Sequence, residues 1–222
     1  MTNKEIIDEL SKFSANYDLL ADRIESYIKR DPILKENVHS FKRRTKDINH
    51  LDDKISRKNR ERESKGLELI NKDNVFDIIT DVCGIRILHL HLGQFKSIHE
   101  ALVKYVNSGD IYLYENPKAY TWDPEYKALF ENLNINTMLK DSFYTSVHYV
   151  FKATEDSNIT CELQVRTLFE EAWAEIDHVV NYPESSEDLV IKEQLNIFAR
   201  IVGAATRIAH SIFKLREEYS RK

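Results

Sequence analysis

The chain predicts an α+β fold: a small mixed or largely antiparallel β-sheet backed by helices, with a helical extension at each end. Three observations lead there. Segments with a two-residue apolar period, the signature of strands with one buried face, recur through the middle of the sequence. Segments with three- and four-residue periods surround and interrupt them. The length of 222 residues suits one domain of ordinary size with extensions.

Taken in order, Ile6, Leu10, Phe13, Tyr17, Leu20, Ile24 and Tyr27 form one amphipathic helical stripe that ends near Asp31-Pro32. A second, strongly charged helix is predicted over about residues 47–65, with Ile48, Leu51 and Ile55 as a thin apolar stripe. The first clear strand is "GIRILHLHL" (84–92), followed by a helix over 95–107 and a strand over 110–116. Residues 117–140, with Pro117, Pro124 and scattered aromatics, read as a loop carrying a short helix. Strands over 142–153 and 159–167 then make a hairpin. Thr167 can cap a helix that stops before Pro183, and "SSED" (185–188) opens a last long helix. That helix carries Ile191, Leu195, Phe198, Val202, Ala205, Ile208, Ile212 and Leu215 on one stripe. The expected units are an N-terminal helical extension (1–40), a central domain (41–183) and a C-terminal helical extension (184–222).

Composition narrows the function. A hydrophobic fraction of 42% supports a real core, and a net charge of −5 argues against a dedicated duplex-DNA binder. Charge is uneven: residues 41–65 hold ten Lys/Arg against five Asp/Glu, whereas 168–188 hold seven acids and no Lys or Arg. Cys83 and Cys161 sit in apolar strand positions and read as buried thiols of a reducing compartment. The first residues lack a signal-peptide core and no stretch is long and apolar enough for a bilayer span, so a cytoplasmic protein is expected. Five glycines leave no room for a Walker or dinucleotide phosphate loop.

The candidate site lies on the hairpin. Cys161, Leu163 and Val165 alternate with Glu162, Gln164 and Arg166, while Ser142, Tyr144, Ser146 and His148 share one face of the preceding strand. Pairing would bring these two polar faces together, and periodicity alone leaves them either solvated or a site. In the basic segment, Arg44, Lys46, Lys54, Arg57 and Lys58 could grip a polyphosphate, arginine bidentately and lysine as a point charge, or could be a solvated helix face. Asp81, at a strand entry, is a second acid beside Glu162, and two carboxylates on one hard cation suit phosphoryl transfer.

Together the segments resemble the synthetase domain of the RelA/SpoT-type alarmone synthetases over about residues 40–182. The resemblance is carried by "DVCGIRI", "YTSVHYVF" and "CELQVRTLFEEAWAEIDHVVNY", similar to the family's D-x-x-G-x-R, Y-x-S-x-H and E-x-Q-x-R-T…W…H…Y motifs in order and spacing. It implies a nucleotidyltransferase-like mixed sheet that transfers the β,γ-pyrophosphate of ATP to the 3′-hydroxyl of GDP or GTP, yielding (p)ppGpp. By motif position, Arg44, Lys46, Lys54 and Arg57 would bind ATP. Asp81 and Glu162 would be catalytic and hold Mg2+, with Glu162 also accepting the hydroxyl proton. Tyr144 would stack on the acceptor base, with Lys140, His148, Gln164 and Arg166 orienting the acceptor's phosphates and ribose.

Two positions depart from the family pattern. His50 stands at the serine of R-x-K-x-x-x-S-x-x-x-K, and Ser142-Phe143-Tyr144-Thr145-Ser146 replaces the common N-G-Y-x-S, which leaves the acceptor base open. A toxic small synthetase that pyrophosphorylates adenosine nucleotides or the 3′-terminal adenosine of tRNA is the alternative, with an antitoxin partner expected in that case. An inactive nucleotide-binding regulatory module is the alternative of another class. The resemblance further implies a small stand-alone synthetase, and the last helix would serve either intramolecular packing or a homo-oligomer.

Overall fold

The computed structural model describes residues 2–45, 48–181 and 186–220. The chain forms α1 (Asn3–Ser11), α2 (Ser14–Arg30), α3 (Pro32–Asn37), β1 (Ser40–Thr45), α4 (Ile48–Ser64), α5 (Val75–Ile78), β2 (Cys83–His89) and α6 (Gly93–Asn107). It continues through β3 (Tyr112–Thr121), α7 (Pro124–Asn132), β4 (Asn136–Leu139), β5 (Ser146–Lys152), β6 (Thr160–Thr167), α8 (Leu168–Asn181) and α9 (Leu189–Ser220). The mixed sheet runs β1-β2-β6-β5-β3-β4. Strands β2 and β6 pair in parallel, as do β3 and β4, and the other neighbours are antiparallel. The predicted α+β class and the β5–β6 hairpin are both present.

Local chemistry explains the helix starts. Thr2 and Glu5 cap α1 reciprocally, and Asp31 caps α3 through Ile33 and Leu34 with Pro32 in the first turn. Asp123 and Pro124 repeat that arrangement at α7. The expected continuous first helix is broken after Ser11. The apolar period carries on across the break, because Tyr17, Leu20, Ala21, Ile24 and Ile28 remain on the buried side of α2. These helices are not a separate arm: Ile6, Leu10, Leu20 and Ile24 share one core with Ile85, Ile87, Leu163 and Val165 of the central strands.

Three further differences shape the site. Residues 40–45, not assigned to a strand from sequence, form edge strand β1, where Arg43 turns to the α2 side and pairs with Asp18 and with Asp22 at 2.7 Å. Strand β3 extends through Pro117 to Thr121, accommodated by register shifts between Leu113 and Lys118. Residues 117–140, read as a loop with a short helix, hold that helix as α7 but also the end of β3 and the whole of β4. The expected boundary at residues 183/184 falls outside the described residues.

Register puts one row of polar side chains across five strands: Lys42, Arg86, Gln164, His148 and Lys118 are successive partners. The next row runs Arg44, Gly84, Glu162, Val150. The opposite face of β6, Cys161, Leu163 and Val165, is wholly buried in the core. Helix α8 follows β6 directly, so its first turns close one end of the polar face.

Candidate functional site

Glu162 is the centre of the polar face. One carboxylate oxygen, Oε1, lies 3.0 Å from His148 Nδ1, and Gln164 Nε2 donates to Oε2 at 2.8 Å. A carboxylate can only accept, so Nδ1 carries a proton toward Glu162, while Nε2 shares a hydrogen bond of 3.0 Å with the Tyr144 hydroxyl. Burial opposes ionisation of Glu162, but the bond and charge of His148, with help from Gln164, hold its pKa below the ordinary carboxylate value. Four side chains from β5, β6 and the turn before β5 therefore form one continuous chain of hydrogen bonds: Tyr144, His148, Glu162, Gln164.

Arg166, two residues on, is 3% exposed and reaches Glu171 of α8 at 2.6 Å through Nη2. Its guanidinium lies 5.8 Å from the Tyr144 ring centre, a cation–π arrangement, and burial lowers its pKa. Its buried Nε has no hydrogen-bond partner among the described residues, leaving a donor for a ligand oxygen. Tyr144, Gln164 and Arg166 line a cleft of about 570 Å³ with Arg44, Arg86 and Trp173.

A second, smaller hollow of about 70 Å³ adjoins it, lined by Arg44, Asp81, Gly84, Arg86, Glu162 and Gln164. Asp81 raises the pKa of Glu162, so the two carboxylates feel each other across this hollow. Lys54 of α4 binds Asp81 at 2.5 Å. Lys58, one turn later, also faces Asp81; burial and then the charge of Lys54 depress its pKa. Among the described residues no three His, Cys, Asp or Glu side chains are grouped to hold a metal. Two carboxylates on one hollow nevertheless fit a hard cation that fills its shell with water and substrate oxygens.

The structure thus gathers Asp81, Glu162, Arg44, Lys54, Tyr144, His148, Gln164 and Arg166. Arg57 is exposed on α4 and lines neither cavity, and Lys58 takes the inward place. Lys46 lies outside the described residues. Lys140 joins indirectly: its ammonium is 4.9 Å from the Tyr120 ring, which packs edge-on against His148 at 4.9 Å.

Arg86, Lys42 and Tyr120 were not singled out from sequence. Arg86 is bound by Glu171 and, at 2.7 Å, by Glu175. It is the arginine of "DVCGIR", so the motif contained a signal for it. Lys42 and Tyr120 had none, since their places depend on strand pairing. Among the described residues no helix is long and apolar enough to cross a membrane.

No curated relative matches the chain. The small alarmone synthetase 1 from Bacillus subtilis shares its fold, with a TM-score of 0.65 at 20% identity over 97% of this chain and 100% of that one. The same enzyme bound to its product pppGpp also matches at TM-score 0.65 and 20% identity, over 96% of this chain and 99% of that one. A GTP pyrophosphokinase family protein from Streptococcus pneumoniae matches at TM-score 0.62 and 22% identity, over 96% and 95%. Residues 43–187 match the model of the region found in RelA / SpoT proteins. That stretch contains Arg44, Asp81, Tyr144, Glu162 and Arg166, and the chain belongs to the RelA/SpoT family.

Proposed function

We propose that the chain is an ATP-dependent pyrophosphokinase that moves the β,γ-pyrophosphate of ATP to the 3′-hydroxyl of GDP or GTP, yielding (p)ppGpp and AMP. The observation that carries this is Glu162: an ionised carboxylate, oriented by His148 and Gln164, opening on a hollow shared with Asp81. In the reaction the acceptor oxygen bonds to the β-phosphorus, the α,β-bridging oxygen leaves with AMP, and the hydroxyl proton passes to Glu162. Arg44 lines both cavities, Lys54 and Lys58 stand behind them beside Asp81, and Arg57 extends this basic grouping outward, a set of cations that suits a polyphosphate. Tyr144 offers a ring to the acceptor base, and Arg166 and Arg86 line its cleft. Asp81 and Glu162 would hold Mg2+, which when bound neutralises polyphosphate charge.

A second reading changes only the acceptor, to an adenosine nucleotide or the 3′-terminal adenosine of tRNA. It is favoured by Ser142-Phe143 in the acceptor loop and by the open cleft beside exposed Lys42 and Arg44. The exposed apolar residues Ile201, Ile208, Ile212 and Leu215 of α9 support a homo-oligomer. Incubation with γ-labelled ATP and, in turn, GDP, GTP, AMP, ATP and deacylated tRNA separates the readings. Label on GDP or GTP supports the first, and label only on tRNA or an adenosine nucleotide replaces it with the second. No transfer to any of them leaves a nucleotide-binding module.

A further inference from the structure

Phe143 has φ +56°, in the left-handed region. A non-glycine residue there is strained and persists only where its surroundings hold it. Here they do. The Phe143 ring packs against Trp122 at 4.9 Å between centres, and the Arg200 guanidinium of α9 lies 5.8 Å from it. Phe143 and Trp173 join Ala199, Val202 and Gly203 of α9 around a residual void of about 10 Å³. Gly203 eases that approach, since a Cβ there would lie 3.2 Å from the Trp122 ring, closer than most side-chain contacts. Arg207 ties the same helix to Asp123 and, at 3.0 Å, to Glu125.

The residue after Tyr144 is fixed as well. Thr145 is buried and shares a hydrogen bond of 3.1 Å with Thr121 at the end of β3. Tyr144 is thus held from both sides, by Phe143 in the α8/α9 cluster and by Thr145 on the sheet. Its own hydroxyl meets His148, which meets Glu162.

We propose that Phe143 is a positioning residue through which α9 sets the pose of Tyr144 and thereby acceptor affinity, a role that rests on Tyr144 being the acceptor platform. Phe143→Gly removes the ring while keeping the backbone conformation accessible, and Phe143→Leu restores an apolar anchor. A loop that holds the binding pose only about a tenth of the time raises the acceptor KM roughly tenfold. The expected result for Phe143→Gly is that rise with ATP KM unchanged, together with faster amide exchange over residues 142–146 of the full chain. Phe143→Leu recovers most of both. Circular dichroism checks that the variants keep the fold, and the emission of Trp122 and Trp173, the chain's two tryptophans, reports the loosened cluster.

Unchanged exchange and unchanged acceptor KM in Phe143→Gly overturn the proposal. So does an equal rise in both KM values with exchange unaltered. If the wild type turns over no acceptor, the pyrophosphokinase reading fails. The exchange comparison then still decides the anchoring: faster exchange in Phe143→Gly supports it, and equal exchange overturns it.

Discussion

The two sides of the candidate site are built differently. On the proposed acceptor side, Tyr144, His148, Glu162 and Gln164 stand on or beside the central strands β5 and β6 and are joined by hydrogen bonds of 2.8–3.0 Å. On the proposed donor side, Arg44 on edge strand β1 lines both cavities and Arg57 of α4 is exposed, while Lys54 is paired with Asp81 and Lys58 is half-buried beside it. The first side is organised before any ligand arrives. On the second, Lys54 is held by Asp81, and the exposed Arg44 and Arg57 would take their final geometry from a bound polyphosphate. Preorganised groups matter most for the chemical step, whereas point charges matter most for binding.

The largest test of that division is Glu162→Gln. Glutamine keeps the shape but cannot accept the hydroxyl proton, so turnover should fall by about 10²–10⁴, the range for loss of a general base. ATP KM should change far less than turnover, because Asp81 and the basic residues of β1 and α4 remain. Initial rates with labelled ATP measure both, and circular dichroism checks the fold. A variant as fast as wild type would remove Glu162 as the base.

Lys54→Ala probes the other side, with a smaller effect. Losing one charge-assisted contact of about 1.5–3 kcal/mol should raise ATP KM by roughly 10–100-fold. Acceptor KM should stay near its wild-type value, because Lys54 touches Asp81 and not the Tyr144–Gln164 chain. Equal changes in both constants would show that the two sides are one coupled unit.

The acceptor side was also the more legible in sequence, for a physical reason. Strands β5 and β6 are central, so their alternation records a buried face and a polar one, and Glu162, Gln164 and His148 fall on the correct side by period alone. Half of edge strand β1 is charged, and its strand state follows from pairing with β2, which no local pattern encodes. Strand β4 is largely exposed and owes its form to β3. Arg86 sits beside Gln164 only because β2 and β6 pair in parallel at that register. The choice between Arg57 and Lys58 was a matter of helical phase. Phe143 was visible as a departure from a motif, but its meaning required α9, some sixty residues later, to be placed against it.

The smallest expected effect separates two acids only eight residues apart. Glu170, in the first turn of α8, is 8% exposed; it accepts from the Thr167 backbone N–H at 2.9 Å, and the Thr167 hydroxyl accepts from its own N–H at 3.2 Å. Burial nevertheless dominates and raises its pKa above the ordinary 4.5, whereas that of Glu162 is lowered. The consequences for stability have opposite signs. A folded state that raises an acid's pKa binds protons more tightly than the unfolded chain. Glu170 therefore costs stability as pH rises from about 4.5 through its folded value. Glu162 contributes stability above its unfolded pKa and loses it as pH falls through its lower folded one. Removing each charge inverts each trend. Between about pH 4 and pH 7 the melting temperature of Glu170→Gln relative to wild type should rise, whereas that of Glu162→Gln should fall as pH climbs from below about 4 to about 5 and then stay level. Each kcal/mol corresponds to about 2–4 °C in a chain of this size. Parallel trends in the two variants would mean that burial does not raise the Glu170 pKa, and that the organised region extends from the Glu162 chain into the cap of α8.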